Sequence, residues 1–396
     1  MNKKHFGVLV GGIFMLIVAM GISRFAYTPL LPFMREDEGL SFQHGGWLAS
    51  SNYIGYFIGA LGAGFIFKNK KNFLLCNVLL NVLSIVLMGI IDVFSIWIVL
   101  RFIAGATSGF IFVLTSSIVM DYLAQHLLTK WSGYIFSGIG LGIAISGLLV
   151  PFLESFVQWE GTWIGLGILS TLFLLSTIVL WRNIHVGDTV PLEKSDETNI
   201  WKGIMLWLIA AYGLEGLGYI ITGTFLVDII YNIEDLRPFA NFSWVIVGLA
   251  AAPSAPIWMA LMTRFTPFSM MMLAYSLQVI GIALPVFSQT AWSVLLSAFL
   301  FGMTFVGLVT LSTGYGRQLY PKQSATVVSV LTTFYALGQI IGPLLASRLE
   351  HLFDSFKAPL LLASGVVASA LIILSIGQIL SNKQKVSVHK PFEVNK

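Results

Sequence analysis

Charge is scarce in this 396-residue chain. Asp, Glu, Lys and Arg make up 10% of it, far below the quarter typical of a soluble domain, while apolar residues make up 57%. With a mean hydropathy of +0.86 the apolar surface cannot all be buried in one water-facing globule, so lipid must be the solvent over much of the length. Cysteine is almost absent. The single Cys76 cannot close an intrachain disulfide and has no metal-ligand company. His44, His126, His185 and His351 fall in joints or at span ends without the spacing of a metal site, so neither metal nor cofactor is expected. No Walker sequence occurs, which excludes a self-contained ATP-driven pump. Gly138-Ile139-Gly140-Leu141-Gly142 lies inside an apolar run with no strand before it, so it is not a phosphate loop. No cluster of nucleophile, acid–base or metal residues gathers at either membrane surface, and no joint is long enough for a soluble sensor domain. An enzyme and a transport-silent scaffold are both disfavoured. The net charge of +4 anchors helix ends and is no nucleic-acid patch.

What is abundant is the long apolar run. Crossing a bilayer core of ~30 Å at ~1.5 Å per residue takes roughly 20 apolar residues. Runs of that kind are predicted at 6–34, 43–66, 72–91, 95–118, 131–153, 160–181, 203–230, 239–262, 268–287, 291–313, 324–347 and 358–380. The first run opens after Lys3-Lys4-His5, as a signal peptide would. It continues past Arg24 without a convincing cleavage site, so it reads as a retained first helix. Sixteen of the 22 Lys and Arg fall on the side of the termini and four, Arg35, Arg237, Arg348 and Lys357, on the opposite side; Arg24 and Arg101 remain inside spans. The positive-inside rule then places both termini in the cytoplasm of a bacterial-type inner membrane.

The longest polar joint, 182–202, divides the spans six and six. The expected architecture is therefore all-α and integral to the membrane, with twelve transmembrane helices in two pseudo-symmetric six-helix bundles. The boundaries are 1–181, a cytoplasmic linker at 182–202, and 203–396 ending in a short cytoplasmic tail. Gly21 and Tyr27 align with Gly213 and Tyr219 at the offset that also aligns Lys130, Ser132 and Pro151 with Lys322, Ser324 and Pro343. Spans 4 and 10 prefer a slightly different offset, through Gly105 and Gly302. Parallel repeats of this kind place a binding site at their interface near the midplane, and a self-contained pair makes a monomer sufficient.

Several motifs resemble those of the major facilitator superfamily. Leu100-Arg101-Phe102-Ile103-Ala104-Gly105 with Gly109 is similar to its span-4 motif, and Ala336-Leu337-Gly338-Gln339-Ile340-Ile341-Gly342-Pro343 to its span-11 signature. Gly138, Gly140, Gly142, Gly147 and Pro151 resemble the span-5 motif of exporters and antiporters, without its Gly-Pro pair. Gly55, Gly59, Gly62 and Gly64 precede the basic run Lys68, Lys70, Lys71, which lacks the acidic residue usual before it. Gly21-Ile22-Ser23-Arg24-Phe25-Ala26-Tyr27-Thr28-Pro29-Leu30-Leu31-Pro32 resembles the YbfB/YjiJ branch. The resemblance implies the major facilitator fold, ion-coupled secondary transport and a part for Arg101 in proton coupling. It implies no particular substrate.

An arginine inside an apolar span costs at least ~2.5–3.5 kcal/mol to insert, so Arg24 should face a cavity or a partner. Glu215, opposite Ser23 in the repeat alignment, is the obvious partner. Arg24 would favour its carboxylate form and desolvation its neutral form, a balance that lets an acid take up and release protons. Arg101 could tune such an acid or snorkel to the outer headgroups. Asp228 reads as a solvated charge at the outer end of span 7. Tyr27, Asn52, Tyr53, Tyr56, Tyr219, Trp244, Tyr335 and Gln339 are the candidates for a substrate pocket, and the repeat places Tyr27 and Tyr219 on opposing walls. Aromatic faces with few hydrogen-bonding groups suit an amphiphilic molecule and also bind cations; the alternative is an interfacial belt. The expected activity is proton-coupled export of a small organic metabolite or amphiphilic drug. The alternative is proton-coupled uptake of a small organic anion held by Arg24.

Overall fold

The computed structural model describes residues 3–66, 69–182, 184 and 200–388, and every regular element among them is a helix. Most of the joint at 182–202, together with Lys68 and the tail beyond 388, lies outside the described residues. The first span is two helices, α1 (Lys3–Leu16) and α2 (Tyr27–Glu38), joined by a π-helical turn at Ile17–Ile22 and a bend over residues 23–26. After it come α3 (Phe42–Ala63), α4 (Lys70–Met88), α5 (Phe94–Gln125) and α6 (Ser137–Leu180). The second half holds α7 (Ile204–Tyr231), α8 (Ala240–Ala251) with α9 (Ser254–Leu261), α10 (Pro267–Phe287), α11 (Ala291–Leu319), α12 (Ser324–Phe353) and α13 (Lys357–Val388).

Among the described residues, ten helical stretches are long and apolar enough to cross a membrane. Two features make this count consistent with twelve crossings. Thr129–Leu180 is one stretch of 52 residues. Straight, it would measure roughly 78 Å, more than twice the hydrocarbon core. It turns back at Gln158, whose φ of 57° and ψ of −177° are not helical. Both of its ends then lie against α1, Gly138 on Ile13 and Leu16, and Leu180 beside Gly7. The other feature is α3, which is less apolar because it carries His44, Ser50, Ser51 and Asn52. The last three are buried, so they face protein rather than lipid. Large apolar side chains such as Leu148, Ile168 and Trp292 are exposed, as a lipid-facing surface requires.

In the first half, α3 lies along α5, α4 against α5 and α6, and α1 against α6. In the second, α7 packs on α12 and α13, while α10 packs on α11 and α13. The halves meet where α3 touches α12, α6 touches α8 and α2 touches α7. The first two contacts are one contact repeated, since spans 2 and 11 exchange with spans 8 and 5 under the internal repeat.

Small residues let these backbones touch. A Cβ built on Gly105 would come within 1.9 Å of the Asn52 carbonyl oxygen, a rigid backbone atom of α3. Gly105→Ala is therefore expected to destabilise the protein by about 1–3 kcal/mol through overpacking, despite alanine's better helix propensity. The thermal midpoint of the purified variant in detergent checks this, and an unchanged midpoint would refute the close packing of α3 on α5.

Candidate substrate and proton site

The break in the first span creates the site. In the π turn the backbone bonds lengthen to five residues, Ser23 N donating to Val18 O at 2.9 Å and Phe25 N to Met20 O at 3.1 Å. A π turn of this kind leaves carbonyls without helical partners, and inside a membrane they must be satisfied by protein. Arg101 on α5 does so, with Nη1 donating to Ser23 O at 2.8 Å and Nη2 lying 3.4 Å from Arg24 O. Ser108 Oγ donates to Ala19 O at 2.7 Å. Asn81 Nδ2 on α4 lies 2.9 Å from Ser23 Oγ and 2.8 Å from Thr107 Oγ1. The break also needs room behind it, which two glycines supply: a Cβ on Gly21 would stand 2.2 Å from the Cα of Gly142 on α6.

Arg101 therefore does not snorkel. It is 1% exposed, and its guanidinium lies 4.5 Å from the centre of the Tyr27 ring. Tyr27 donates its hydroxyl to Gly45 O at 3.0 Å, and the Asn52 amide donates to Arg101 O at 2.9 Å. These two residues brace the break. Both Tyr27 and Tyr219 are buried, and neither faces lipid.

Arg24, on the bend itself, points the other way. Its guanidinium carbon lies 4.2 Å from the Tyr56 ring centre, 4.8 Å from that of Tyr53 and 5.3 Å from that of Phe25. Its Nε and Nη2 have no hydrogen-bond partner among the described residues. Phe25 in turn contacts Trp244 and Phe305 of the second half, at 6.3 and 6.2 Å between ring centres. Behind them runs a set of near-parallel rings. Tyr219 is tilted only 5° from Phe305 and 16° from Tyr335, and Tyr335 lies 19° from Tyr212. The Gln339 amide donates to the Tyr219 hydroxyl. Tyr53 and Thr224 share a hydroxyl contact of 2.9 Å across the halves.

Glu215 is fully buried on α7, one turn from both Tyr212 and Tyr219. The Gln278 amide on α10 donates to its Oε1 at 3.2 Å, and Oε2 has no partner among the described residues. The expected Arg24–Glu215 ion pair is thus not formed in this conformation. The repeat alignment assumes two continuous helices, and the bend at 23–26 re-aims Arg24 into the aromatic box. Asp228 also departs from expectation. Rather than a solvated end-charge it is 1% exposed and ion-paired with Arg35 of α2. Beside that pair, Arg237 Nη2 donates to Glu36 at 2.8 Å and to the Tyr231 hydroxyl. The two ion pairs formed between described residues thus both join the halves, at the membrane face opposite the start of α1.

The sequence does not single out Phe25, Phe301, Phe305, Tyr212 or Gln278. Gln278 carries a signal, an amide inside an apolar span; so does Tyr212, which shares a helical face with Glu215 and Tyr219. The phenylalanines carry none, because an aromatic pair four residues apart reads equally as core.

Comparison with known proteins bears on the family and the fold. The chain is 25% identical to the quinolone resistance protein NorA of Staphylococcus aureus (strain COL) over 391 residues, 95% of this chain and 97% of that one. It is 23% identical to the uncharacterised MFS-type transporter YceJ of Bacillus subtilis (strain 168), over 60% of this chain and 57% of the relative. The fold is similar to crystal structures of the nucleoside transporter NupG. An aspartate-to-alanine variant superposes with a TM-score of 0.73 at 12% identity, covering 95% of this chain and all of that one, and a second NupG structure gives 0.69 at 11%. The family described as uncharacterised MFS-type transporter YbfB matches residues 16–375. With its broken first span, its repeated inter-bundle contacts and that match, the chain belongs to this family of major facilitator membrane transporters.

Proposed function

We propose that the chain exports a small organic compound, a metabolite or an amphiphilic drug, in exchange for protons, by alternating access between two six-helix bundles of 1–181 and 203–396. The observation that carries this reading is Glu215, a fully buried carboxyl that among the described residues has one amide partner and no ion-pair partner, set against the aromatic stack at the bundle interface. A lone carboxylate in such surroundings is costly, so its charge is tolerated only where water reaches it. Opening to the cytoplasm would release its proton there; opening outward would reload it. The sixteen-to-four bias of Lys and Arg supports cytoplasmic termini in a bacterial inner membrane. A monomer suffices for this cycle. The name of the NorA relatives, resistance to quinolones, supports a drug-sized cargo.

The alternative, proton-coupled uptake of a small organic anion, is favoured by one observation: Arg24 has two buried N–H groups that no group among the described residues accepts. Everted vesicles carrying an acid-inside gradient test both readings against a panel of metabolites and drugs. Export by antiport is expected as substrate-triggered proton efflux. A panel that moves no protons would refute the coupling, and substrate-driven proton entry would favour uptake.

Rocking must also break the ion pairs at the far face. Asp228→Asn removes a buried partner of Arg35 only in the state closed at that face, at a cost of about 2 kcal/mol, or roughly a 30-fold shift toward opening. Thr28, which donates to Gly223 O across the halves at 2.6 Å, can report it as a cysteine once the exposed Cys76 is replaced. An impermeant maleimide should label Thr28→Cys faster in the Asp228→Asn background. Equal rates would rule out a latch there.

A further inference from the structure

We infer that the bundle interface takes a planar aromatic anion, with the anionic group against Arg24 and the ring beside Tyr219 and Phe305. The inference rests on the transport reading above but not on its direction. Four observations converge on it.

An aromatic box in a transporter would ordinarily suit an organic cation. Here the cation's place is already filled. The Arg24 guanidinium lies 4.2–5.3 Å from the rings of Tyr56, Tyr53 and Phe25, so a second cation in the box would meet a like charge in a water-poor site. The same guanidinium keeps two donors, Nε and Nη2, without acceptors among the described residues, although it is only 2% exposed. Two N–H groups on a rigid planar fork match the two oxygens of a carboxylate or similar oxyanion. The protein does not supply that oxyanion here, because Glu215 takes the Gln278 amide and Asp228 pairs with Arg35. Finally, the facing wall is ordered for a flat ligand. Tyr219 and Phe305 are parallel within 5°, with centres 5.8 Å apart, and Phe301 lies within 19–21° of both. Tyr219 and Phe305 belong to the same bundle, so rocking leaves their alignment intact while it uncovers the side of the wall that faces Arg24.

Three probes separate charge from ring: 2-naphthoate, 2-naphthylmethylammonium with the same ring and opposite charge, and cyclohexanecarboxylate with the charge but no π face. Their binding to the purified full-length chain is read by tryptophan fluorescence at fixed pH without a gradient. 2-Naphthoate is expected to bind at least ~10-fold more tightly than either other probe, since tenfold corresponds to one charge-assisted contact. Arg24→Lys, which keeps the charge and loses the fork, should weaken 2-naphthoate by about tenfold. Tyr219→Leu should remove its advantage over cyclohexanecarboxylate. A cation that binds as well, 2-naphthoate affinity unchanged in Arg24→Lys, or no saturable binding would overturn the inference. Should Arg24→Lys fail to fold, the ranking of the probes on the wild type decides it alone. Proton-coupled flux of cations only would sink this inference and keep the transport reading. The expected ranking with no flux in vesicles would keep the site and sink that reading.

Discussion

Glu215→Gln is expected to abolish proton-driven transport, by at least ~100-fold, while leaving the protein folded and able to exchange substrate for substrate. The change is nearly isosteric, and Gln278 can still donate to the oxygen that replaces Oε1. Because Oε2 has no partner among the described residues, the new amide breaks no contact with them at that atom. It does bring two N–H groups into a buried site, which costs about 1–3 kcal/mol if they stay unpaired, enough to lower the thermal midpoint without unfolding the protein. What is lost outright is titration. A glutamine can neither release nor reload a proton, so substrate movement in either direction is uncoupled from the pH gradient. Counterflow in proteoliposomes should persist while uphill accumulation on a pH gradient disappears. Normal gradient-driven transport by this variant would move the proton site away from Glu215.

The second large effect belongs to Arg101. Two of its nitrogens face carbonyls of the unwound turn, Ser23 O and Arg24 O, and no side chain among the described residues forms an ion pair with it. Arg101→Lys keeps the charge but replaces a planar fork with a single ammonium, which cannot serve both carbonyls in one geometry. At least one carbonyl then faces the membrane interior unpaired, and the charge loses its best partner. The expected loss is about 2–4 kcal/mol of stability. Transport should fall further than the folded fraction does, because the bend that carries Arg24 loses its anchor. Arg101→Met separates the two terms, since it removes the buried charge along with the hydrogen bonds and should cost less stability than lysine. Thermal midpoints in detergent and flux per folded molecule measure both. Wild-type values in Arg101→Lys would show that the turn holds itself.

Much of this is legible in the sequence because lipid imposes a simple rule. A span must be apolar along its length, and whatever breaks that rule stands out. Arg24, Arg101 and Glu215 are conspicuous for that reason alone. The same rule makes α3 readable despite its serines and asparagine, because the apolar stretch is long enough. What periodicity does not reveal is the π turn at Ile17–Ile22, since nothing in an apolar hexamer marks a change of hydrogen-bond register. That turn is why Arg24 faces tyrosines rather than Glu215. Asp228 escapes the rule for another reason. An acid near a span end is solvated only if nothing covers it, and here α2 from the other half does. Cross-bundle contacts of this kind leave no local trace.

The divided first span also has a mechanical consequence. Its opening half, α1, rests on α5 and α6 of its own bundle, while its closing half, α2, is tied to the opposite bundle through Thr28 on Gly223 and Arg35 on Asp228. One polypeptide segment is thus fastened to both halves, with its break between the two attachments. If the bundles rock as proposed above, the movement of one attachment against the other would reach residues 17–26 as torsion. Arg24 lies in that stretch, so the same motion would re-aim its guanidinium as it changes the side from which the interface is reached.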